Sequence, residues 1–369
     1  MKRFADCHIH IRSQRTSEVL TMLNEVASMG ITDASILALP SCYSISENLA
    51  ALYYKTIVTN IRVRAFGGLH LTDTMRDIPY EQQVASMLKL GCDGIKLYDM
   101  KPEMHYYNGK RLDGPAYQTM FSLLEQNRTP VLLHANDPLE MWQSSATKQK
   151  DGLSIYRGLY LRKPYPSHEE IFNECCSMLD QHPNLNIAFA HFFFLSNNLE
   201  RAVRFMEKYP NAKLDLAPGT DMFFHFMENL SGWHDFFTTY SDRILFGTDC
   251  NTYKDFNKEI ISLVYTFLTH DSSEFQMPCY GNWMIRGLGL DDKAVRNICF
   301  NSYQKFVGRD FVSVDRGGLY ECAEKMLMDL KKNPRNPYYA GAEYLFEEYP
   351  DPNQQDAICF LTNMLQKGK

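Results

Sequence analysis

The sequence predicts a (β/α)8 barrel followed by a C-terminal helical extension. Short apolar runs with strand character recur eight times, at 4–10, 32–40, 62–69, 93–98, 130–136, 186–191, 213–218 and 243–249. Most of them start about 30 residues after the last, the length of one strand–helix–strand step. Four runs carry polar residues at their C-terminal ends: His8 and His10, His134, His191 and Asp249. That end of a parallel barrel strand is where such folds gather their chemistry.

The intervening segments read as amphipathic helices. Ser17 is placed to cap the first, whose Val19, Leu23 and Val26 fall on one face; Ser167 and Glu170 form a capping-box pattern ahead of Ile171, Cys175 and Met178. The gap 137–185 breaks the beat with a loop containing Trp142, Tyr156, Arg157, Tyr160, Arg162 and Tyr165. Long loops in compact domains are usually functional or disordered, and aromatics with arginines argue against disorder. This loop follows a strand with a candidate ligand, so it is expected over the barrel mouth. Helices expected at 254–269 and from Leu290 to Val307 complete a catalytic domain of residues 1–307. Residues 308–369 form the extension, with helical stretches around Leu319–Lys331 and Gln354–Leu365 joined by a Pro/Tyr-rich link, Asn333–Tyr339.

Composition narrows the function. The 369 residues suffice for one barrel, typically about 250 residues, plus an extension. With 45% hydrophobic and 22% charged residues, the chain should bury a sizeable core as an ordinary enzyme does. A net charge of −6 gives no general attraction to nucleic acid. No apolar stretch approaches a membrane span of roughly 18 residues and no signal-type apolar region precedes the first strand, so a cytoplasmic location is expected. The ten cysteines show no Cys-x-x-Cys unit and read as reduced thiols. The expected partners are a small-molecule substrate, with a carboxylate among the candidates, and further copies of the chain; neither nucleic acid nor membrane is expected.

The polar strand ends read as a metal site. Side chains alternate along a strand, so His8 and His10 point one way while Ile9 points the other, and two imidazoles can reach one ion. Imidazole with carboxylate suits Zn²⁺ best among divalent metals. Lys96, in the run Gly94-Ile95-Lys96-Leu97-Tyr98, has the parity of the barrel interior, as has Tyr98. An unpaired interior ammonium is costly, so Lys96 should pair with Asp249 or Asp215 or bind a substrate anion. Asp6 shares the parity of His8 and could support the metal shell. His70 ends the third strand, and Arg12, Arg157 and Arg162 lie at or near the mouth, where guanidinium could bind a carboxylate together with Tyr98.

At these residues the chain resembles the amidohydrolase superfamily, and most closely its amidohydrolase-related branch. The resemblance covers about residues 1–307 in order: His-x-His at His8 and His10, His134, His191, and Asp249 in Phe-Gly-Thr-Asp. Leu288–Ser302 is similar to the branch's closing helix. The resemblance implies one or two divalent ions held by His8, His10, Asp249 and either or both of His134 and His191, with Lys96 as a possible carbamylated bridge. It also implies catalytic roles for Asp249 as proton acceptor and His191 as the group that polarises a carbonyl or orients water. Phe192, Phe193 and Phe194 depart from the branch's small residues and are expected to narrow the pocket. The favoured activity is hydrolysis of a small amide, ester or lactone. The alternatives are non-oxidative decarboxylation of a small carboxylic acid and, in a different class, a non-catalytic ligand-binding barrel.

Overall fold

The computed structural model describes residues 3–11, 15–42, 44–71, 78–144, 157–277, 279, 283–308, 310–332 and 354–368. Its centre is a parallel barrel built from β1 (Phe4–His10), β2 (Ile31–Leu37), β3 (Arg62–Gly68), β4 (Gly94–Met100), β5 (Val131–Ala135), β6 (Ile187–Phe189), β7 (Ala212–Asp215), β8 (Ile244–Leu245) and β9 (Cys250–Asn251). The hydrogen-bonded order β8-β7-β6-β5-β4-β3-β2-β1-β9 runs in sequence and closes on itself, because β8 and β9 are two pieces of one eighth stave. Between them, Cys7 donates its N–H to the Phe246 carbonyl at 3.0 Å and Asp249 donates to the His8 carbonyl at 2.8 Å. Helices cover the outside, which is why the strands are buried on both faces and rich in continuous apolar residues.

The barrel interior is filled by Ala5, Cys7, Leu37, Phe66, Leu132, Ala188 and Leu245, and closed below by Tyr303 and Phe306 of the helix Ser302–Val307. The expected strands are all present. Several are shorter than their apolar runs because the chain turns into site loops before the run ends: 186–191 yields a strand only over Ile187–Phe189, and 213–218 only over Ala212–Asp215. The capping box at Ser167 and Glu170 forms as expected. Ser17 does not cap the first helix, which starts at Thr16 with Arg15 in the cap position. Val19, Leu23 and Val26 nonetheless form its buried face. The segment from Asp292 to Val307 is helical, with one wide turn over Asn297–Asn301.

One alternation fails in an informative way. β1 carries a register shift between Asp6 and Ile9. Cys7 therefore belongs to the inner core and Ile9 to the outer layer, although they are two residues apart. Asp6 does not share a face with His8, contrary to its sequence parity, and is bonded to the backbone instead. In β4 the parity holds: Ile95 and Leu97 pack in the outer layer.

The helix Arg316–Lys332 packs on the helices Glu47–Ile57 and Tyr80–Leu90, and the helix Gln354–Gly368 packs on it. Phe360 sits 5.8 Å from the Tyr53 ring. The approach from the barrel floor is held by buried Arg64, which donates to the carbonyls of Gly308 and Asp310 at 3.0 and 2.8 Å. Gly91, at φ +107°, lets the chain pass beneath, since a Cβ there would lie 2.5 Å from the Ser313 carbonyl oxygen. No described helix is long and apolar enough to cross a membrane.

β6 ends in an unusual backbone. His191, Phe192, Phe193 and Phe194 all have φ between 51° and 58°, a complete left-handed turn of non-glycine residues. Each such residue costs about 1–2 kcal/mol. Phe192 is buried and stacks on Phe237 at 5.5 Å within a cluster that includes Phe226 and Trp233; Phe193 is buried and stacks on Phe189 at 4.2 Å. Burying a phenylalanine contributes up to about 3 kcal/mol, enough to offset the local strain. Phe192 and Phe193 thus point into the outer aromatic core and do not narrow the pocket as expected. Only Phe194 reaches the site, 5.8 Å from the His134 ring and 5.5 Å from that of His191. Phe192→Ala should lower stability by about 3–5 kcal/mol, the usual loss for a buried phenylalanine, as read from the midpoint of urea unfolding followed by far-ultraviolet circular dichroism.

Candidate metal centre

His8 and His10 lie at the tip of β1, and the backbone fixes the turn that brings Asp249 to them. Asp249 lies between β8 and β9 at φ 53°, a conformation aspartate tolerates better than most residues. Its Oδ1 is 3.8 Å from His8 Nε2 and 3.7 Å from His10 Nε2. Ligand atoms of His8, His10 and Asp249 all fall within 4.8 Å of one another.

The tautomers of both histidines are set by their second nitrogens. His10 Nδ1 lies 2.9 Å from the Leu37 carbonyl oxygen, which can only accept, so Nδ1 carries the proton. His8 Nδ1 lies 2.7 Å from Asp215 Oδ2. Burial lowers the His8 pKa to about 4 despite the attraction of Asp215, so the ring is neutral and donates from Nδ1. With His10 Nδ1 donating to Leu37 and the His8 ring neutral, the two Nε2 atoms lie 3.1 Å apart beside the Asp249 carboxylate, close enough to share one cation. The residues fit a divalent metal.

Buried carboxylates brace the group. Asp215 Oδ1 accepts from the backbone N–H groups of His191 at 2.7 Å and Ala217 at 3.1 Å. Burial alone would raise its pKa, but His8 beside it brings it below the ordinary value. Asp6 accepts from the His8 N–H at 2.9 Å and from the Thr248 hydroxyl at 2.5 Å, tying β1 to the stretch before Asp249; burial raises its carboxyl to about 7. Lys254, which the sequence reading missed, donates to Asp249 Oδ2 at 3.0 Å and to the Asp249 carbonyl at 2.7 Å. Burial pushes the Asp249 carboxyl up, but the Lys254 ammonium beside it holds it well below the usual carboxylate range.

The other expected ligands adjoin the three without joining them. The His191 ring is 5.1 Å from that of His8, and its Nδ1 bonds the Ala217 carbonyl at 3.0 Å, which leaves its lone pair on Nε2. His134 stands 4.7 Å from the His191 ring. Its Nε2 bonds the Asn136 carbonyl at 3.1 Å and burial lowers its pKa to about 3, so it is a neutral ring with its lone pair on Nδ1. Lys96 is buried in the interior as its parity required, but its Nζ makes no hydrogen bond to Asp215 or Asp249. Tyr98 packs on the His134 ring at 5.0 Å. His70 lies beyond β3, its N–H bonded to Gln83, outside the three-ligand group. Arg12 lies outside the described residues.

The loop after β5 does reach the strand tips. Lys101, one residue past β4, bonds Asp137 at 2.5 Å and Glu103 at 3.1 Å, and the Tyr160 hydroxyl donates to Asp137 and, at 2.9 Å, to Glu103. Asp137 in turn lies 3.5 Å from His134 Nε2. Farther round, His225 links Glu140 at 3.1 Å to Ser196 at 3.0 Å. Neither network was legible in sequence, because the first joins the segments that follow β4 and β5 and the second those that follow β5, β6 and β7, at spacings that carry no period. Arg157 is buried and donates to Gln143 at 2.6 Å, whereas Arg162 is exposed at the end of the turn Leu159–Leu161.

No family model and no curated protein sequence matches the chain. Solved structures do match its fold. A candidate amidohydrolase from Staphylococcus aureus is 15% identical, with 83% of this chain and 100% of that one aligned at a TM-score of 0.53. The 2,6-dihydroxybenzoate decarboxylase from Rhizobium aligns with 15% identity over 83% of this chain and 99% of its own, at 0.50. An uncharacterised TIM-barrel protein from Bordetella bronchiseptica aligns with 15% identity over 83% and 100%, also at 0.50. The chain thus shares its barrel fold with these proteins and spans 99–100% of their length, with the remainder of its own length additional.

Asp215→Asn keeps the shape of the brace but removes the charge that fixes the His8 tautomer. Zn²⁺ affinity, measured by competition with a chromogenic chelator, should fall about 10–100-fold, the usual effect of losing a carboxylate behind a ligating histidine.

Proposed function

We propose that this chain is a metal-dependent enzyme of the amidohydrolase-related kind that hydrolyses a small amide, ester or lactone. The observation that carries the reading is the cluster of His8 Nε2, His10 Nε2 and Asp249 Oδ1, with the two nitrogens 3.1 Å apart and the carboxylate oxygen 3.8 and 3.7 Å from them. His8, His10 and Asp249 would hold the ion, with His191 and His134 next to it, and Zn²⁺ is the ion that suits three such donors best. A bound divalent ion supplies Lewis acidity, polarising a carbonyl and making water acidic enough to ionise near neutral pH.

The protein's own groups do the rest. Asp249 is ionised at neutral pH and accepts a proton through its carboxylate, which Lys254 keeps in one orientation. His191, with Nδ1 committed to the Ala217 carbonyl, has Nε2 available to accept a hydrogen bond and orient water; polarising a carbonyl would require that nitrogen to carry a proton as well. The Lys101–Asp137–Tyr160–Glu103 network ties the two described ends of the long loop to the tip of β4. Decarboxylation remains the second reading, favoured by one observation: the buried ammonium of Lys96 suits an acidic substrate.

Protein purified from a metal-replete source should carry a divalent transition metal by elemental analysis, and His8→Ala should lose both the metal and activity. Wild-type protein that stays metal-free after soaking in zinc or manganese would contradict the proposal. Turnover in ¹⁸O water should place label in a product carboxyl group; release of CO₂ without bond cleavage by water would establish the decarboxylase instead. Asp249→Asn should lower kcat about 100-fold or more, the scale of lost acid–base help, with the thermal midpoint nearly unchanged. Turnover near wild type with metal bound would move the proton-transfer role to His191.

A further inference from the structure

We propose that the floor of the barrel, at the end opposite the metal centre, carries a binding site for a small phosphomonoester with a polyhydroxylated body. The site lies where the chain enters β5, β6 and β7 and meets the helix Ser302–Val307. Two clefts of about 420 and 510 Å³ open there, and Lys305 and Gly308 line both. Arg128, Lys213 and Lys305 supply positive charge to the lining, and among the described residues no carboxylate lies in it. This is a concentration of one sign on a chain whose net charge is −6. Tyr303 and Phe306 close the barrel between these clefts and the metal centre, so the ligand is a second molecule and not the substrate.

The charges lack the partners that would make them structural. The Arg128 guanidinium makes no hydrogen bond or ion pair among the described residues; only its backbone N–H is used, on the Glu125 carbonyl. Lys213 Nζ donates at 3.0 Å to two neutral oxygens, Asn186 Oδ1 and the Asn211 carbonyl. Burial, with Arg243 and Lys305 nearby, lowers its pKa to about 8 against the pull of Asp242. Asp242 lies 3.5 Å from Lys305, but both side chains are more than half exposed, and such a pair is worth little. Glu125 is turned to the Asn184 N–H at 2.7 Å and to His182 at 3.7 Å. A dianion seated among Arg128, Lys213 and Lys305 would relieve their mutual repulsion, and phosphate oxygens match guanidinium and ammonium donors. The clefts have the volume of a small-molecule site, more than phosphate alone would fill. Their remaining polar lining is amide, including exposed Asn184 and also Gln304, whose Nε2 has no hydrogen-bond partner among the described residues. Amides both donate to and accept from hydroxyls, which selects a polyhydroxylated body over an apolar one.

Calorimetric titration and thermal-shift assays on the full chain, at fixed ionic strength, test the assignment with glucose 6-phosphate, inorganic phosphate, glucose and chloride. Glucose 6-phosphate should raise the thermal midpoint and bind at least about tenfold tighter than inorganic phosphate, the gain from one or two hydrogen bonds to its hydroxyls. Glucose and chloride should do neither. Arg128→Gln and Lys305→Gln replace exposed side chains, so both variants should fold as the wild type does. Each should weaken binding about tenfold, the loss of one charge-assisted bond, while zinc uptake stays unchanged. His8→Ala should bind the ester as the wild type does. An ester held no more tightly than inorganic phosphate overturns the proposal without reliance on any variant. So does a midpoint shift that chloride reproduces, which would be screening of like charges alone. Binding that survives both glutamine variants, or that His8→Ala abolishes, also overturns it, since the phosphate would then lie elsewhere or on the metal centre. The outcome does not depend on which reaction the metal centre performs.

Discussion

The Asp215 carboxylate is the contact on which the rest of the centre depends. One oxygen fixes which nitrogen of His8 carries the proton, and the other holds the backbone at His191 and Ala217. A fully buried carboxylate is tolerable only when its oxygens are well bonded, and here three donors from the tips of three staves converge on it. The demand runs both ways. Asp215 needs those donors to remain ionised, and the tips of β1 and β6 need Asp215 to stay in register. Asp6 repeats the device on the other side of β1 through Thr248. The nitrogens and oxygens of the candidate centre are therefore placed by contacts within the protein itself.

The left-handed turn after β6 shows the same economy of placement by other means. A regular strand would carry the chain past the site, and a right-handed helix would lead it out towards the next layer. Four left-handed residues reverse it within one turn and leave His191 between His8 and His134. No glycine occupies the turn, so the strain must be overcome by packing. The stacking of Phe193 on Phe172 and Phe189, and of Phe192 on Phe237, is the visible means.

Much of this was legible from residue order, for a physical reason. Burial on both faces forces parallel strands to be continuous apolar runs, so all eight staves could be found. A polar residue at the end of such a run has few uses other than chemistry, so His8, His10 and Asp249 stood out, and Lys96 fell inside by parity. The failures share one cause: period-two reasoning assumes extended backbone. The bulge in β1 moved Asp6 off the face of His8, the break between Leu245 and Cys250 split the last stave, and the turn at 191–194 sent two phenylalanines away from the pocket. Contacts such as Lys254 with Asp249, or Tyr160 with Asp137, involve loop residues whose spacing carries no periodic signal at all.

The aromatic anchoring of the turn after β6 has a consequence for how such a site can change. On that side, Phe192 and Phe193 belong to the outer core and also set the direction of His191, so a substitution there disturbs the scaffold and the chemistry together. The opposite side, where the chain leaves β2 and β3, is built by Leu39, Leu69, Leu71 and Met104, which are buried in the same core cluster as Phe192 and Phe193. Change on either flank therefore has to conserve volume. A library would find its tolerated substitutions at exposed loop positions such as Leu139 and Leu161.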